Sequence, residues 1–197
     1  AFLNKLQKVG YRINPFIADV AEVLQERQIS VGKFIPIIDL PLPPKPFDIA
    51  TNKDARKSYR RGAAEVMNVN ANAFRRSCRT RMTMKAVEKF RDRESFYLPW
   101  SFDYRGRAYP IPAFLTPQDT DFGKSLLRFS EESLMNKEAE HWLSFQVATT
   151  HSMSKATLSE RLIWTSENYD LISRVAIDPI DNLPDWEGAE EPWQFLA

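Results

Sequence analysis

The chain has 197 residues, 43% apolar and 12% aromatic, with one cysteine and a formal net charge of +1. That composition excludes a disordered polypeptide, in which low hydrophobicity leaves chain entropy unopposed, and a lone thiol excludes an internal disulfide or a thiolate zinc cluster. Its longest apolar stretches, Val31 to Leu42 among them, are broken by glycine, charge and proline and fall short of the roughly 20 residues of a membrane-spanning helix, and the N-terminus shows no secretory signal pattern.

The first clear element begins at Asn14-Pro15, a capping residue followed by proline at the first helical position. Ile17, Val20, Ala21 and Leu24 then recur with helical spacing, which predicts one buried stripe ending near Gln28 to Gly32. Pro36, Pro41, Pro43, Pro44 and Pro46 follow, too close together for helix or central strand, so residues 33–50 are read as an extended connector. From about Asn52 to Arg93 there is no proline and only Gly62. One long helix is expected, or two separated near Asn68 to Asn72. Within it Phe74, Cys78 and Met82 form an apolar line expected to pack, while Arg75 and Arg79 form a basic line expected to protrude. Phe96 to Trp100 is aromatic and β-favouring, and strands are expected there. Helical patterns return at about 121–131, 136–150, 158–176 and 186–197.

Charge is distributed as a dipole along the sequence. Lys53 to Arg93 holds thirteen basic and four acidic residues, a net of +9, whereas Ser130 to Ala197 holds four and thirteen, a net of −9. Nine of the thirteen basic residues are arginine, whose planar fork binds phosphate oxygens in pairs, so the block reads as a phosphate-binding surface rather than a merely solvated face. A structural alternative is that the +9 and −9 segments satisfy one another and bind nothing.

The most informative stretch is Phe96 to Pro110, FYLPWSFDYRGRAYP. Asp103-Tyr104-Arg105-Gly106-Arg107 sets two guanidinium groups either side of a glycine that permits close backbone approach, and Tyr104 and Tyr109 offer flat stacking surfaces. That chemistry suits phosphates and bases and makes a poor catalytic centre. An arginine-rich hairpin tied to Asp103 alone is the competing reading. Elsewhere, His141 and His151 with Glu138, Glu140 and Ser152 lack metal-ligand spacing. Asp185, Glu187, Glu190 and Glu191 read as a solvated cluster at a helix N-terminus. Trp142, Trp164, Trp186 and Trp193 read as core anchors, and Cys78 as a small core residue.

These residues resemble the D-x-x-G-R signature of the single-subunit, bacteriophage-type RNA polymerases, a family that includes the mitochondrial enzymes. The resemblance runs on, in order, through Thr116-Pro117-Gln118 with Asp121, Lys124-Ser125-Leu126-Leu127, Trp142-Leu143, Glu160-Arg161 and Glu191-Pro192-Trp193-Gln194-Phe195-Leu196-Ala197, with a flavour closer to phage members. It implies an α+β, mostly α architecture: a helical thumb-like region over 1–95 with its connector at 33–50, then the opening of a polymerase palm over 96–197 with a short β-hairpin. It implies nucleic-acid contacts by Asp103, Arg105, Gly106, Arg107, Tyr109 and Lys124, and by Arg75, Arg76, Arg79 and Arg81 of the thumb-like helix. Gln146 and Ser144 depart from the family, which commonly has histidine and lysine there.

By the same resemblance the intact enzyme copies DNA template into RNA transcript from nucleoside triphosphates with Mg2+, in the cytoplasm of a phage-infected bacterium rather than in an organelle. The family's metal-binding aspartates match no position here, so no catalytic or metal residue is expected in this chain. It is expected to be a piece of a longer polypeptide or split gene, completed by the remaining palm and fingers. The alternative is a freestanding, non-catalytic nucleic-acid-binding module derived from such a polymerase.

Overall fold

The computed structural model describes residues 2–197. In chain order the elements are α1 (Phe2–Leu6), β1 (Gly10–Ile13), α2 (Pro15–Glu26), α3 (Lys53–Phe90), β2 (Phe96–Tyr97), β3 (Trp100–Phe102), β4 (Ala108–Pro110), α4 (Asp121–Ser125), β5 (Leu127–Phe129), α5 (Lys137–Ala148), α6 (Leu158–Glu167), α7 (Tyr169–Ile177) and α8 (Pro192–Leu196). The architecture is α+β and mostly α. A three-stranded antiparallel sheet runs β2-β1-β5, and β3 and β4 form a separate hairpin.

α2 starts as its sequence dictates, with Asn14 extended and Pro15 at the first helical position, and Ile17, Ala18, Val20, Ala21 and Leu24 are all buried. One strand lies where no element was expected and another where a helix was expected. β1 is short but alternates inward Tyr11 and Ile13 with outward neighbours, and Tyr11 pairs with both Phe96 and Phe129. The helix expected to 131 stops at Ser125, because Leu127–Phe129 is recruited to the open side of β1. Pairing with a strand more than a hundred residues away overrides local helix preference. Because the sheet takes β1 from one side of position 95 and β2 and β5 from the other, both regions share one core. At its centre lie Phe34, Phe122, Leu126, Trp186 and Trp193.

Two further expected helices are broken. The segment expected over 158–176 divides at Asn168, and the one expected over 186–197 is helical only from Pro192. Trp142 is 52% exposed and is not a core anchor, since it lies on the outer side of α5 against the edge of Phe145.

α3 is one unbroken helix of 38 residues, capped by the Asn52 side chain, which accepts from the backbone N–H groups of Asp54 and Ala55. Its three asparagines do not interrupt it. Asn70 reaches out to the connector, accepting from Leu40 N–H at 2.9 Å and donating to Leu40 C=O at 2.8 Å. Gln25 holds Ile37 the same way, at 2.7 and 3.0 Å. Two side-chain amides therefore give a proline-rich segment the paired bonds a neighbouring strand would supply.

The buried line of α3 is Ala63, Ser77, Thr80, Thr83 and Val87, not the expected Phe74, Cys78 and Met82. Phe74 and Met82 are 48% and 41% exposed. The reason is close approach: the Ile35 N–H of the connector donates to Thr80 Oγ1 at 3.1 Å, a distance that small side chains permit and an aromatic ring would block.

Candidate nucleic-acid interface

The turn between β3 and β4 is organised by Asp103. Its carbonyl accepts from Gly106 N–H at 3.0 Å and its own N–H donates to Arg107 C=O at 2.9 Å, a tight turn closed by Gly106 at φ +79°. That left-handed conformation is costly for any residue with a Cβ. The Asp103 carboxylate accepts from the N–H of Arg105 and of Arg107, each at 2.9 Å, and from Arg107 Nε at 2.9 Å. The Arg107 backbone N–H, with the Arg107 guanidinium and the Arg105 N–H, holds the Asp103 carboxyl below its ordinary value, since all three favour the charged form.

Arg107 thus carries an ion pair to Asp103 at 2.8 Å. The pair is not interior: the Arg107 side chain remains more than half exposed. Arg105 lies over the Tyr104 ring at 5.2 Å, and Tyr104 is 88% exposed. Arg107 lies over the exposed Tyr109 ring at 5.7 Å. The hairpin tip therefore presents two guanidinium groups and the Tyr104 ring on one short turn, with the Tyr109 ring on the adjoining strand. Tyr109 extends from β4, and Lys124 sits half-buried on α4, lining a recess of about 270 Å³ with Tyr11, Pro117, Arg128 and Gln194.

The α3 arginines divide. Arg75 and Arg76 are exposed, and among the described residues neither has an ion-pair partner. Arg81 lies over the Phe74 ring at 5.3 Å with its Nε buried and unpartnered. Arg79 is half exposed but, unlike Arg75, is not free: it is paired to Asp119, whose side chain is fully buried, and lies over the Phe114 ring. A buried carboxylate left without its cation would be costly, so Arg79 is held as a structural tie.

Asp119 escaped the sequence reading, yet it organises the loop before α4. It also accepts from Leu115 N–H at 2.8 Å and Thr120 N–H at 2.6 Å, and a Cβ at position 123 would collide with its carboxylate, which explains Gly123. Gln118 ties this loop to the hairpin by donating to Ala108 C=O at 3.2 Å. The only signal for Asp119 was its place between Pro117 and Gly123, which sequence alone shares with many loops.

Several motif residues prove structural. Asp121 accepts from the N–H groups of Trp193 and Gln194, each at 2.9 Å, so motif segments some seventy residues apart meet at the start of α8. Glu160 and Thr157 form a capping box at α6, and Arg161 donates to Thr149 Oγ1 and to the carbonyls of Ser154 and Ala156. His151 packs at a tilt against Trp164 and edge-on against Phe195, and no group of three or more potential metal-ligating side chains converges among the described residues. Among those residues, no ion pair joins the basic Lys53–Arg93 block to the acidic Ser130–Ala197 segment.

Residues 133–197 match a family model described as DNA-dependent RNA polymerase. Across 99% of the chain, it is 29% identical to a DNA-directed RNA polymerase of Enterobacteria phage T3, covering 22% of that protein. The corresponding figures for the Enterobacteria phage K11 polymerase are 30% and 21%. For DNA-directed RNA polymerase 2, chloroplastic/mitochondrial, of Arabidopsis thaliana, they are 28% and 19%. The chain thus spans about a fifth of the length of the curated relatives it matches.

Proposed function

We propose that this chain, which belongs to the single-subunit DNA-directed RNA polymerase family, is the part of a transcribing enzyme that grips template DNA and the RNA–DNA hybrid. The observation carrying this reading is the Asp103–Arg107 turn, which presents cations and rings to solvent on a left-handed backbone that favours glycine at position 106. Guanidinium has five donors in a fixed fork. Asp103 engages one edge of Arg107 and leaves the rest for a phosphate, so the same carboxylate that pairs with Arg107 also fixes its direction. Less rotamer freedom is then lost when the anion arrives.

In this reading Arg105, Arg107 and Lys124 neutralise hybrid phosphates and Tyr109 stands against the template. Arg75, Arg76 and Arg81 meet backbone from the arm, and Arg79 holds the arm to the loop that carries Asp119. Residues 1–95 serve as a thumb-like arm and 96–197 as the opening of the palm. The whole enzyme would join nucleoside triphosphates with magnesium, within the cytoplasm of an infected bacterium if it is phage-encoded. Among the described residues no group of three or more His, Cys, Asp or Glu side chains converges to hold magnesium.

Mutation of Arg107 tests this. Arg107→Ala is expected to weaken binding to an RNA–DNA hybrid with little dependence on base sequence, and to lower the slope of log affinity against log salt by about 1, as loss of one phosphate contact does. An unchanged slope counts against the assignment.

A further inference from the structure

β1 and β5 set two like charges face to face. Arg12 and Arg128 are direct partners in the antiparallel register of these strands, and because Tyr11 and Ile13 point into the core, Arg12 lies on the outward face. Opposed residues in such a pair bring their side chains together, and like charges there repel. One carboxylate answers both. Glu132 Oε1 accepts from Arg12 Nη2 and, at 3.0 Å, from Arg128 Nη2. Glu132 stands on the link between β5 and α5, where residues 131–136 are all exposed, and its own side chain is 63% exposed.

The arrangement is electrically incomplete. One carboxylate carries a single negative charge against two guanidinium cations, each with five donors in a fixed fork. Arg12 Nε is buried and has no hydrogen-bond partner among the described residues, although a buried donor ordinarily finds one. Beside these side chains lies a recess of about 670 Å³ that reaches to Arg91 and Arg93 beyond the end of α3. Arg91 is taken up by Asp19 and Glu22. Arg93 is exposed and has no ion pair among the described residues. Asp92 and Glu94 line the recess too, and neither pairs with a described arginine.

We infer that Arg12 and Arg128 form a site for a compact dianion, either inorganic phosphate or the terminal phosphate of a small phosphorylated molecule, and that Glu132 holds the ligand's place until it arrives. A phosphate monoester carries close to two negative charges near neutral pH and three strong acceptor oxygens. It therefore neutralises both cations and offers each fork oxygens of its own, the arrangement in which arginine binds phosphate most strongly. A phosphodiester brings one charge, as Glu132 already does, and gains little by replacing it. A polynucleotide laid along the recess would also set its run of charges against Asp92 and Glu94. The site is thus different in kind from the hairpin turn and from the arm, and it stands whether or not those contact nucleic acid. Exposed ion pairs are weak, so little opposes the release of Glu132.

The test is an NMR titration of the 197-residue chain, read at Arg12 Nε–H, at about pH 8, where phosphate is mostly dianionic. The probes are inorganic phosphate, a hexose monophosphate and the diester dimethyl phosphate, all at one ionic strength. Saturable binding of the first two is expected, with the diester weaker by about 10-fold or more, the worth of one charge-assisted hydrogen bond. Glu132→Gln keeps the size of an exposed side chain and removes its charge. It should tighten phosphate binding about 5-fold, since an exposed ion pair no longer competes. Arg128→Ala should weaken it about 10-fold or more, and an unchanged circular dichroism spectrum verifies the fold of both variants. Tighter binding of the hexose monophosphate than of inorganic phosphate identifies a phosphorylated small molecule as the ligand, and equal binding identifies free phosphate. The inference is overturned if no saturable phosphate binding is seen, if dimethyl phosphate binds as well as phosphate, or if Glu132→Gln binds phosphate no more tightly than the unsubstituted chain.

Discussion

The two ends of α3 use arginine for opposite purposes. Where the helix meets the body, Arg79 is tied to a carboxylate with no exposure, and Arg91 pairs with Asp19 and Glu22 of α2. Along the outer half, Lys57, Arg60 and Arg61 are exposed and pair with no described carboxylate. Both regions read alike in composition, since each is rich in arginine on a helix. What separates them is whether a carboxylate has been carried to the same place by a distant segment. A charge that is already paired inside the body holds the fold, whereas one that stands unpaired on a projecting rod is available to a polyanion.

Substitutions can break that contrast. The largest effect belongs to the body: Trp193 is fully buried against Phe34, Phe122 and Trp186, with its Nε1–H donating to Val31 C=O. Trp193→Ala should lower stability by about 3–5 kcal/mol in urea titration, as loss of a large buried aromatic does. Asp119→Ala should come next, at about 2–3 kcal/mol. Breaking a fully buried pair costs more, but Arg79 is 50% exposed and returns partly to water. Arg60→Ala should fall within about 0.5 kcal/mol of the unsubstituted chain, as surface changes do. A destabilisation at Arg60 equal to that at Asp119 would show that the arm's cations are structural after all.

The long proline-free stretch made α3 legible, and Asn14-Pro15 with its apolar spacing marked the start of α2, whose end at Glu26 falls two to six residues before the expected Gln28 to Gly32. β1 and β5 were not, because Gly10–Ile13 and Leu127–Phe129 are strands only by virtue of pairing with one another across more than a hundred residues. The face of α3 was misassigned for a related reason. Phe74 and Met82 are the larger apolar residues, but the connector approaches too closely for them, and the small side chains at 77, 80 and 83 take the buried side. At the candidate site, Asp103, Gly106 and the flanking arginines stood out because turn chemistry is local. Asp119 did not, since its importance lies in reaching Arg79 forty residues earlier. The same limit hid the structural role of Arg79, which no periodicity could separate from Arg75.

The hairpin tip lies between these extremes, since Arg107 is paired yet exposed, and pH separates its two roles. Folding holds the Asp103 carboxyl below its ordinary value, chiefly through the Arg107 backbone N–H. A group whose folded-state value is depressed stabilises the fold fully above its unfolded value of about 3.9 and loses that contribution as pH falls through the folded-state value. The turn should therefore be indifferent to pH between about 7 and about 5 and should loosen in the acid range below about 4. Protection factors for amide exchange at Gly106 and Arg107, which divide out the intrinsic pH dependence of exchange, report this. Asp103→Asn retains an oxygen acceptor but no charge, so its protection should be lower at neutral pH and flat through the acid range. If the unsubstituted turn is equally flat, Asp103 does not orient Arg107 through its charge, and the preorganised guanidinium on which the phosphate reading depends loses its cause.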